Sequence, residues 1–98
     1  MTISGRSSIG TIVIYENPWQ PFTLDSYRLI NTSTTSIQFT LYVYSAGSMI
    51  PLTPKPMQLN AGDIIIDEPN ISMNKGQPIV LETQSDALYY WIEVTLKV

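Results

Sequence analysis

The chain of 98 residues contains no cysteine and no histidine. Without a thiol or an imidazole, the common nucleophile–base pairs of hydrolases cannot be assembled. Zinc sites built from His and Cys are excluded for the same reason, and the absence of cysteine removes any sign of redox compartment. Charge is also scarce. Asp, Glu, Lys and Arg make up 13% of the residues, against about 25% in ordinary soluble domains. Five basic and eight acidic side chains give a net charge of −3. The basic residues are scattered, so there is no cationic stripe of the kind that binds a phosphate backbone. No apolar run approaches the roughly 18 residues that cross a bilayer, and Met1 to Gly10 lacks the apolar stretch of a signal peptide.

What is present is a hydrophobic fraction of 44%. High apolar content with little charge implies that part of the surface is covered by a partner. A chain of this length makes one domain able to bury a core of its own. Helical apolar periodicity is nowhere sustained, so essentially no helix is expected. Period-two alternation is widespread instead. From Ala87 to Val98 the residues Leu88, Tyr90, Ile92, Val94, Leu96 and Val98 alternate with Tyr89, Trp91, Glu93, Thr95 and Lys97, the pattern of a long strand with two faces. Further strands are expected over residues 11–15, 24–31, 37–44, 57–60, 64–66, 71–73 and 79–83. Turn clusters separate them, among them Asn31 to Ser36 and Ser45-Ala46-Gly47-Ser48. Pro51, Pro54 and Pro56 make residues 49–56 a loop or an interrupted edge. The expectation is an all-β fold: a single β-sandwich of about seven mostly antiparallel strands, jelly-roll-like or immunoglobulin-like, over residues 11–98. Residues 1–10 are read as an N-terminal arm.

Leu59-Asn60-Ala61-Gly62-Asp63 and Met73-Asn74-Lys75-Gly76-Gln77 echo each other. Each places an apolar residue, then Asn, then Gly ahead of a strand, which suggests two similar reversals at one end of the sandwich. The single glycines Gly62 and Gly76 serve turns; no phosphate-binding or dinucleotide-binding loop is present.

Ser–Lys chemistry would have to use Lys55, Lys75 or Lys97, which sit in a proline-rich segment, a turn and a terminal strand. Asp63, Asp67 and Glu68 could hold Ca²⁺ or act as acid and base. A strand between Asp63 and Asp67 holds them about 13 Å apart, and they are better read as charges that bound a hydrophobic strand and discourage edge pairing. No catalytic residue, metal or cofactor is assigned. The aromatics are more informative. If Leu41 and Val43 face the core, Tyr42 and Tyr44 face out; if Leu88 and Ile92 face the core, Tyr89 and Trp91 face out. Outward Tyr and Trp suit protein contacts or sugar stacking, unless the proline-rich loop covers them. Trp19 is either a loop anchor or tucked into the domain.

The stretches Ile30-Asn31-Thr32-Ser33, Ile37 to Val43, Leu59 to Asp63 and Ile71 to Ile79 resemble small β-sandwich virion proteins of tailed bacteriophages over roughly residues 11–95. Gln77-Pro78 departs from that family's acidic residue in the second turn. The resemblance implies a non-enzymatic virion protein, most simply a capsid auxiliary or decoration protein, assembled in a bacterial host. Its partners would be the major capsid protein or other virion proteins, with self-association and without nucleic acid or membrane. A neck or tail component, or a receptor- or carbohydrate-binding module, is the alternative. The expected contact residues are Tyr42, Tyr44, Tyr89 and Trp91, with Ile3 and Arg6 on an arm that crosses to a neighbouring subunit.

Overall fold

The computed structural model describes residues 1–45 and 47–97. Ala46, expected in a turn, and Val98, expected to end the last strand, lie outside the described residues. Among the described residues ten strands follow in order: β1 (Thr2–Arg6), β2 (Gly10–Tyr15), β3 (Phe22–Asn31), β4 (Ile37–Ser45), β5 (Ser48–Pro51), β6 (Met57–Leu59), β7 (Ile64–Asp67), β8 (Ile71–Met73), β9 (Ile79–Thr83) and β10 (Leu88–Leu96). They form two antiparallel sheets. The first has the order β1-β10-β3-β7, with β8 also on β3; the second has the order β2-β9-β4-β5, with β6 also on β4.

The number of strands differs from expectation, and the reason is local. β7 and β8 lie end to end along β3, against Tyr27–Ile30 and Phe22–Leu24. The break between them contains Pro69 and Asn70, the latter at φ 50°. β5 and β6 likewise share the edge of β4, separated by the segment that holds Pro54 and Pro56. Ten segments therefore occupy eight lanes, and both interrupted lanes are edges, where proline is tolerated. In chain order the eight lanes alternate between sheets except at β4 to β5, and each sheet interleaves early and late strands. That connection pattern is a jelly roll.

The inner faces of both sheets supply one core. Phe22, Leu24, Tyr27, Leu29, Leu88, Ile92 and Val94 of the first sheet meet Ile37, Phe39, Leu41, Val43, Ile79 and Leu81 of the second. Burying each such aliphatic or aromatic side chain stabilises the fold by about 1.5–3 kcal/mol.

Residues 1–10 are not a free arm. β1 pairs with β10 along its whole length, from Thr2↔Glu93 to Arg6↔Tyr89. Ile3 sits opposite Ile92 and packs against the core. Gly5 lies under the Tyr90 ring, whose hydroxyl comes 2.5 Å from the position a Cβ would take, so a side chain there would require the ring to shift. Ser7 is buried. It donates its hydroxyl to the Ser85 carbonyl at 2.6 Å and accepts the Leu88 N–H at 3.1 Å. The Ser- and Gly-rich composition reads as an arm, with Ile3 the one apolar side chain in Thr2–Arg6. The partner that makes it a strand lies some eighty residues away.

The paired Asn–Gly motifs make the same turn. Asp63 N–H donates to the Asn60 carbonyl at 3.0 Å and Gln77 N–H to the Asn74 carbonyl at 3.2 Å. Gly62 and Gly76 occupy the third position at φ 77° and 78°, where a positive φ is required. The turns stand at opposite poles, not at one end. Gly62 N–H donates to the Asn31 carbonyl, at the end of β3; Gly76 N–H donates to the Asn17 carbonyl, before its start. Each of these asparagines also folds its own turn: Asn31 Oδ1 accepts the Ser33 N–H, and Asn17 Oδ1 accepts the Trp19 N–H.

Asn31 does more. Fully buried, it donates Nδ2 to the Leu59 carbonyl at 2.9 Å and to the Thr35 carbonyl at 2.8 Å. Its backbone N–H donates to the Asp63 carbonyl at 3.0 Å. Asn31 and the Leu59–Asp63 turn, far apart in sequence, are thus a single hydrogen-bonded lock between the sheets.

Candidate functional site

Strand register decides which side chains share a surface, because directly opposed residues project to the same face. On the outer face of the first sheet, Arg6, Tyr89, Ile30 and Ile64 form one row across four strands. Ser4, Trp91, Arg28 and Ile66 form the next. Tyr89 and Trp91 stack with centroids 6.3 Å apart. The Arg6 guanidinium lies 5.8 Å from the Tyr89 centroid, within cation–π range, and its Nε donates to the Asp86 carbonyl at 2.6 Å. Ile64 and Ile66 are 46% and 57% exposed. The result is a flat apolar and aromatic field across β10, β3 and β7, with two arginines in it.

Of the six expected contact residues, Arg6, Tyr89 and Trp91 meet on this face. Ile3 points into the core, because it is in register with Ile92. Tyr42 and Tyr44 lie on the second sheet, at the opposite side of the molecule. Tyr42 does share the outer face there, in a row with Val13, Val80 and Pro51, but it is only 4% exposed. The chain after β5 runs back alongside it: Leu52 N–H donates to the Leu41 carbonyl, Thr53 Oγ1 accepts the Leu41 N–H, and Lys55 Nζ sits 5.6 Å from the Tyr42 centroid. The Tyr42 hydroxyl donates to Glu82 Oε1 at 3.2 Å. The proline-rich segment therefore removes Tyr42 from the candidate surface. Tyr44 remains half-exposed beside Met49.

The same face also carries Ile30, Arg28, Ile64 and Ile66, which the sequence reading does not single out. A signal for the last two was present. Three consecutive isoleucines in a strand must place at least one on each face, and β7 is an edge. Trp19 is not tucked in: it stands 86% exposed on the β2–β3 loop.

A hollow of about 130 Å³ lies between Trp91 and Ile66, with Ser26, Arg28, Glu68 and Glu93 at its sides. It is smaller than the roughly 300 Å³ at which small-molecule pockets begin, so the face suits a broad contact better than an enclosed ligand. Among the described residues, no three His, Cys, Asp or Glu side chains are grouped to hold a metal ion. Lys97 Nζ donates to Ser72 Oγ at 2.8 Å in an exposed position.

Asp67, at the end of β7, accepts a hydrogen bond from the Tyr27 hydroxyl at 3.3 Å. Burial and the adjacent carboxylate push the Tyr27 hydroxyl up to about 12. The neutral phenol is therefore favoured in the folded state. This stabilisation is intact below about pH 10, where the unfolded tyrosine begins to ionise, and is lost as pH rises through 12. Tyr27→Phe is expected to flatten the fall in melting temperature between pH 10 and 12. An unchanged alkaline slope in Tyr27→Phe would assign that loss to other groups.

No protein-family profile matches the sequence, and no curated protein matches it. Among solved structures, the chain is similar to one described as the crystal structure of PirA: 12% identity, 99% of this chain and 90% of that one, TM-score 0.51. It also aligns with a pentameric capsid protein isolated from metagenomic phage sequences: 10% identity, 97% of this chain and 61% of that one, TM-score 0.44. A third alignment, with a de novo designed double-stranded β-helix, has 15% identity, 99% coverage of both chains and a TM-score of 0.32. The PirA likeness bears on the fold alone; the other two are too distant to carry an argument.

Proposed function

We propose that this chain is a non-enzymatic structural protein of a bacteriophage virion, an auxiliary or decoration protein that binds the capsid surface through the outer face of its first sheet. The observation that carries the reading is the contiguous field of Tyr89, Trp91, Ile30, Ile64 and Ile66, with Arg6 and Arg28 set into it. Exposed apolar patches of this kind mark interaction surfaces, and aromatic residues with Arg are the side chains enriched at interface centres. A rigid jelly roll with one such face acts as an adhesive tile. The likeness of the Asn31-Thr32 and Leu59–Asp63 segments to phage virion proteins supports the choice of partner.

Quantitative mass spectrometry of purified virions against the major capsid protein tests this reading. Hundreds of copies per particle are expected. A handful would move the chain to a neck or tail position, and absence from virions would end the structural reading. Within the capsid reading, Trp91→Ala is expected to cut occupancy at least about tenfold, as loss of an interface hot spot does, with little change in melting temperature. Full occupancy in Trp91→Ala would dissociate this face from attachment.

A further inference from the structure

Two open sheets leave edge strands whose backbone groups can pair with another chain, and proteins usually blunt such edges. β7 is bracketed by Asp63 and Asp67, which a two-fold pairing would set against each other. β2 has a register break between Val13 and Tyr15, and β5 ends on Pro51. β1 has none of these defences. Among the described residues it pairs with β10 alone, and Thr2, Ser4 and Arg6 are exposed along it.

The ladder with β10 fixes which way the β1 backbone points. The Met1 amino group donates to the Val94 carbonyl at 2.8 Å, and the Val94 N–H donates to the Met1 carbonyl at 2.9 Å. At the other end the Ser7 N–H donates to the Leu88 carbonyl at 2.7 Å. Positions 1 and 7 therefore face β10, and by antiparallel alternation so do positions 3 and 5. The N–H and C=O groups of Thr2, Ser4 and Arg6 point away from the domain. A second β1, running antiparallel about a two-fold axis at Ser4, matches all of them. Ser4 then faces Ser4, and Thr2 faces Arg6 at both ends, with about six hydrogen bonds between the copies.

The side chains suit the same register. Thr2 stands opposite Glu93 on β10, so Arg6 of one copy comes beside Thr2 of the other and about two strand spacings, roughly 10 Å between backbones, from its Glu93. An arginine and a glutamate together span that gap over the short threonine. Within one chain Arg6 stands opposite Tyr89, toward the other end of β1 from Glu93, so this charge pair belongs to the contact between copies and occurs twice. On the inner face, Ile3 of one copy meets Gly5 of the other, over which the Tyr90 ring lies. Ile3 and Tyr90 are both only partly buried against the core, and each covers the other across the axis. We infer that two copies of this chain pair edge to edge through β1 and join their first sheets into one continuous sheet. Such a contact is isologous and closes at the dimer. Two short strands make a small interface, which is weak in free solution. Pairing through β1 does not depend on the virion reading.

Sedimentation velocity on the full chain, from about 10 μM to 1 mM, tests it. The wild-type chain is expected to shift from monomer to dimer, and no further, as concentration rises. Arg6→Glu sets like charges together at both ends of the contact, and so does Glu93→Arg; each is expected to weaken the dimer at least about tenfold with little change in melting temperature. An equimolar mixture of the two variants is the decisive sample. In the mixed dimer both opposite-charge pairs return, so wild-type association is expected. Cross-linking reads the register. Ser4→Cys, in a chain with no cysteine of its own, places two thiols on the axis at about 5.5 Å between Cα atoms, within disulfide range. It is expected to oxidise to a covalent dimer much faster than Thr2→Cys, whose thiols lie about 13 Å apart along the strands. Wild-type protein that remains monomeric at 1 mM overturns the inference. So do charge variants that dimerise as wild type does, a mixture that remains monomeric, or equal cross-linking rates at the two positions.

Discussion

Asn31→Ala is expected to destabilise the protein by about 3–4 kcal/mol and to lower the melting temperature by roughly 15–25 °C. The argument is an accounting of partners. The Asn31 side chain satisfies the Leu59 and Thr35 carbonyls through Nδ2, and the Ser33 N–H and hydroxyl through Oδ1. Alanine leaves the Leu59 carbonyl without this donor at a buried position, whereas the Thr35 carbonyl keeps the Ser33 hydroxyl. Each buried group so orphaned costs about 1–3 kcal/mol. Neither sheet alone accounts for the loss, because the bonds run from β3 of the first sheet to β6 of the second.

Asn31→Asp sharpens the test. It keeps the acceptor for Ser33 but turns a carboxylate oxygen toward the Leu59 and Thr35 carbonyls. Burial and repulsion then raise the carboxyl pKa in the folded state above the unfolded value of about 3.9. A raised folded value means that the stability is present below the unfolded pKa and is lost as pH rises through the folded one. Asn31→Asp should therefore be most nearly native near pH 3–4 relative to wild type and weakest at neutral pH. Equal stability of wild type and Asn31→Asp at pH 7, measured by urea unfolding, would refute the lock.

Removal of residues 1–7 has the second large expected effect. A free arm could be deleted with no change in melting temperature. Here the deletion strips β1 from β10, uncovers Ile92 where Ile3 had packed, and removes the Ser7 hydroxyl from the Leu88 N–H and the Ser85 carbonyl. It also breaks the bond from Val94 N–H to the Met1 carbonyl. Several hydrogen bonds at about 0.5–1.5 kcal/mol each, with part of an isoleucine's burial, sum to about 4 kcal/mol or more. A domain of this size is stable by only about 5–15 kcal/mol, so the truncated chain should melt far below the full one. It should also expose a long new edge and aggregate. An unchanged melting temperature, read by circular dichroism, would restore the arm.

The chain's local chemistry was legible wherever neighbouring residues decide the outcome. The alternation in residues 37–44 and 87–98 became β4 and β10, and the triple isoleucine flanked by Asp63 and Asp67 became the edge strand β7. The two Asn–Gly motifs became identical turns because their residues need only a positive φ at the third position. These features rest on side-chain periodicity and backbone sterics, which act within a few residues.

What the sequence by itself determined is therefore the class of fold and the faces of its long strands. Tertiary structure alone decided the rest, because it concerns residues far apart along the chain. Thr2 to Arg6 carry too few apolar residues to announce a strand and became one through β10. Tyr42 alternates as an outward residue and is nonetheless buried, because the segment from Leu52 to Lys55 returns along β4. Arg6, Arg28, Ile66, Tyr89 and Trp91 became one surface only when β1, β10, β3 and β7 were set in register. Register across strands is fixed by the simultaneous burial of all inner-face residues, and no local stretch of chain contains that information.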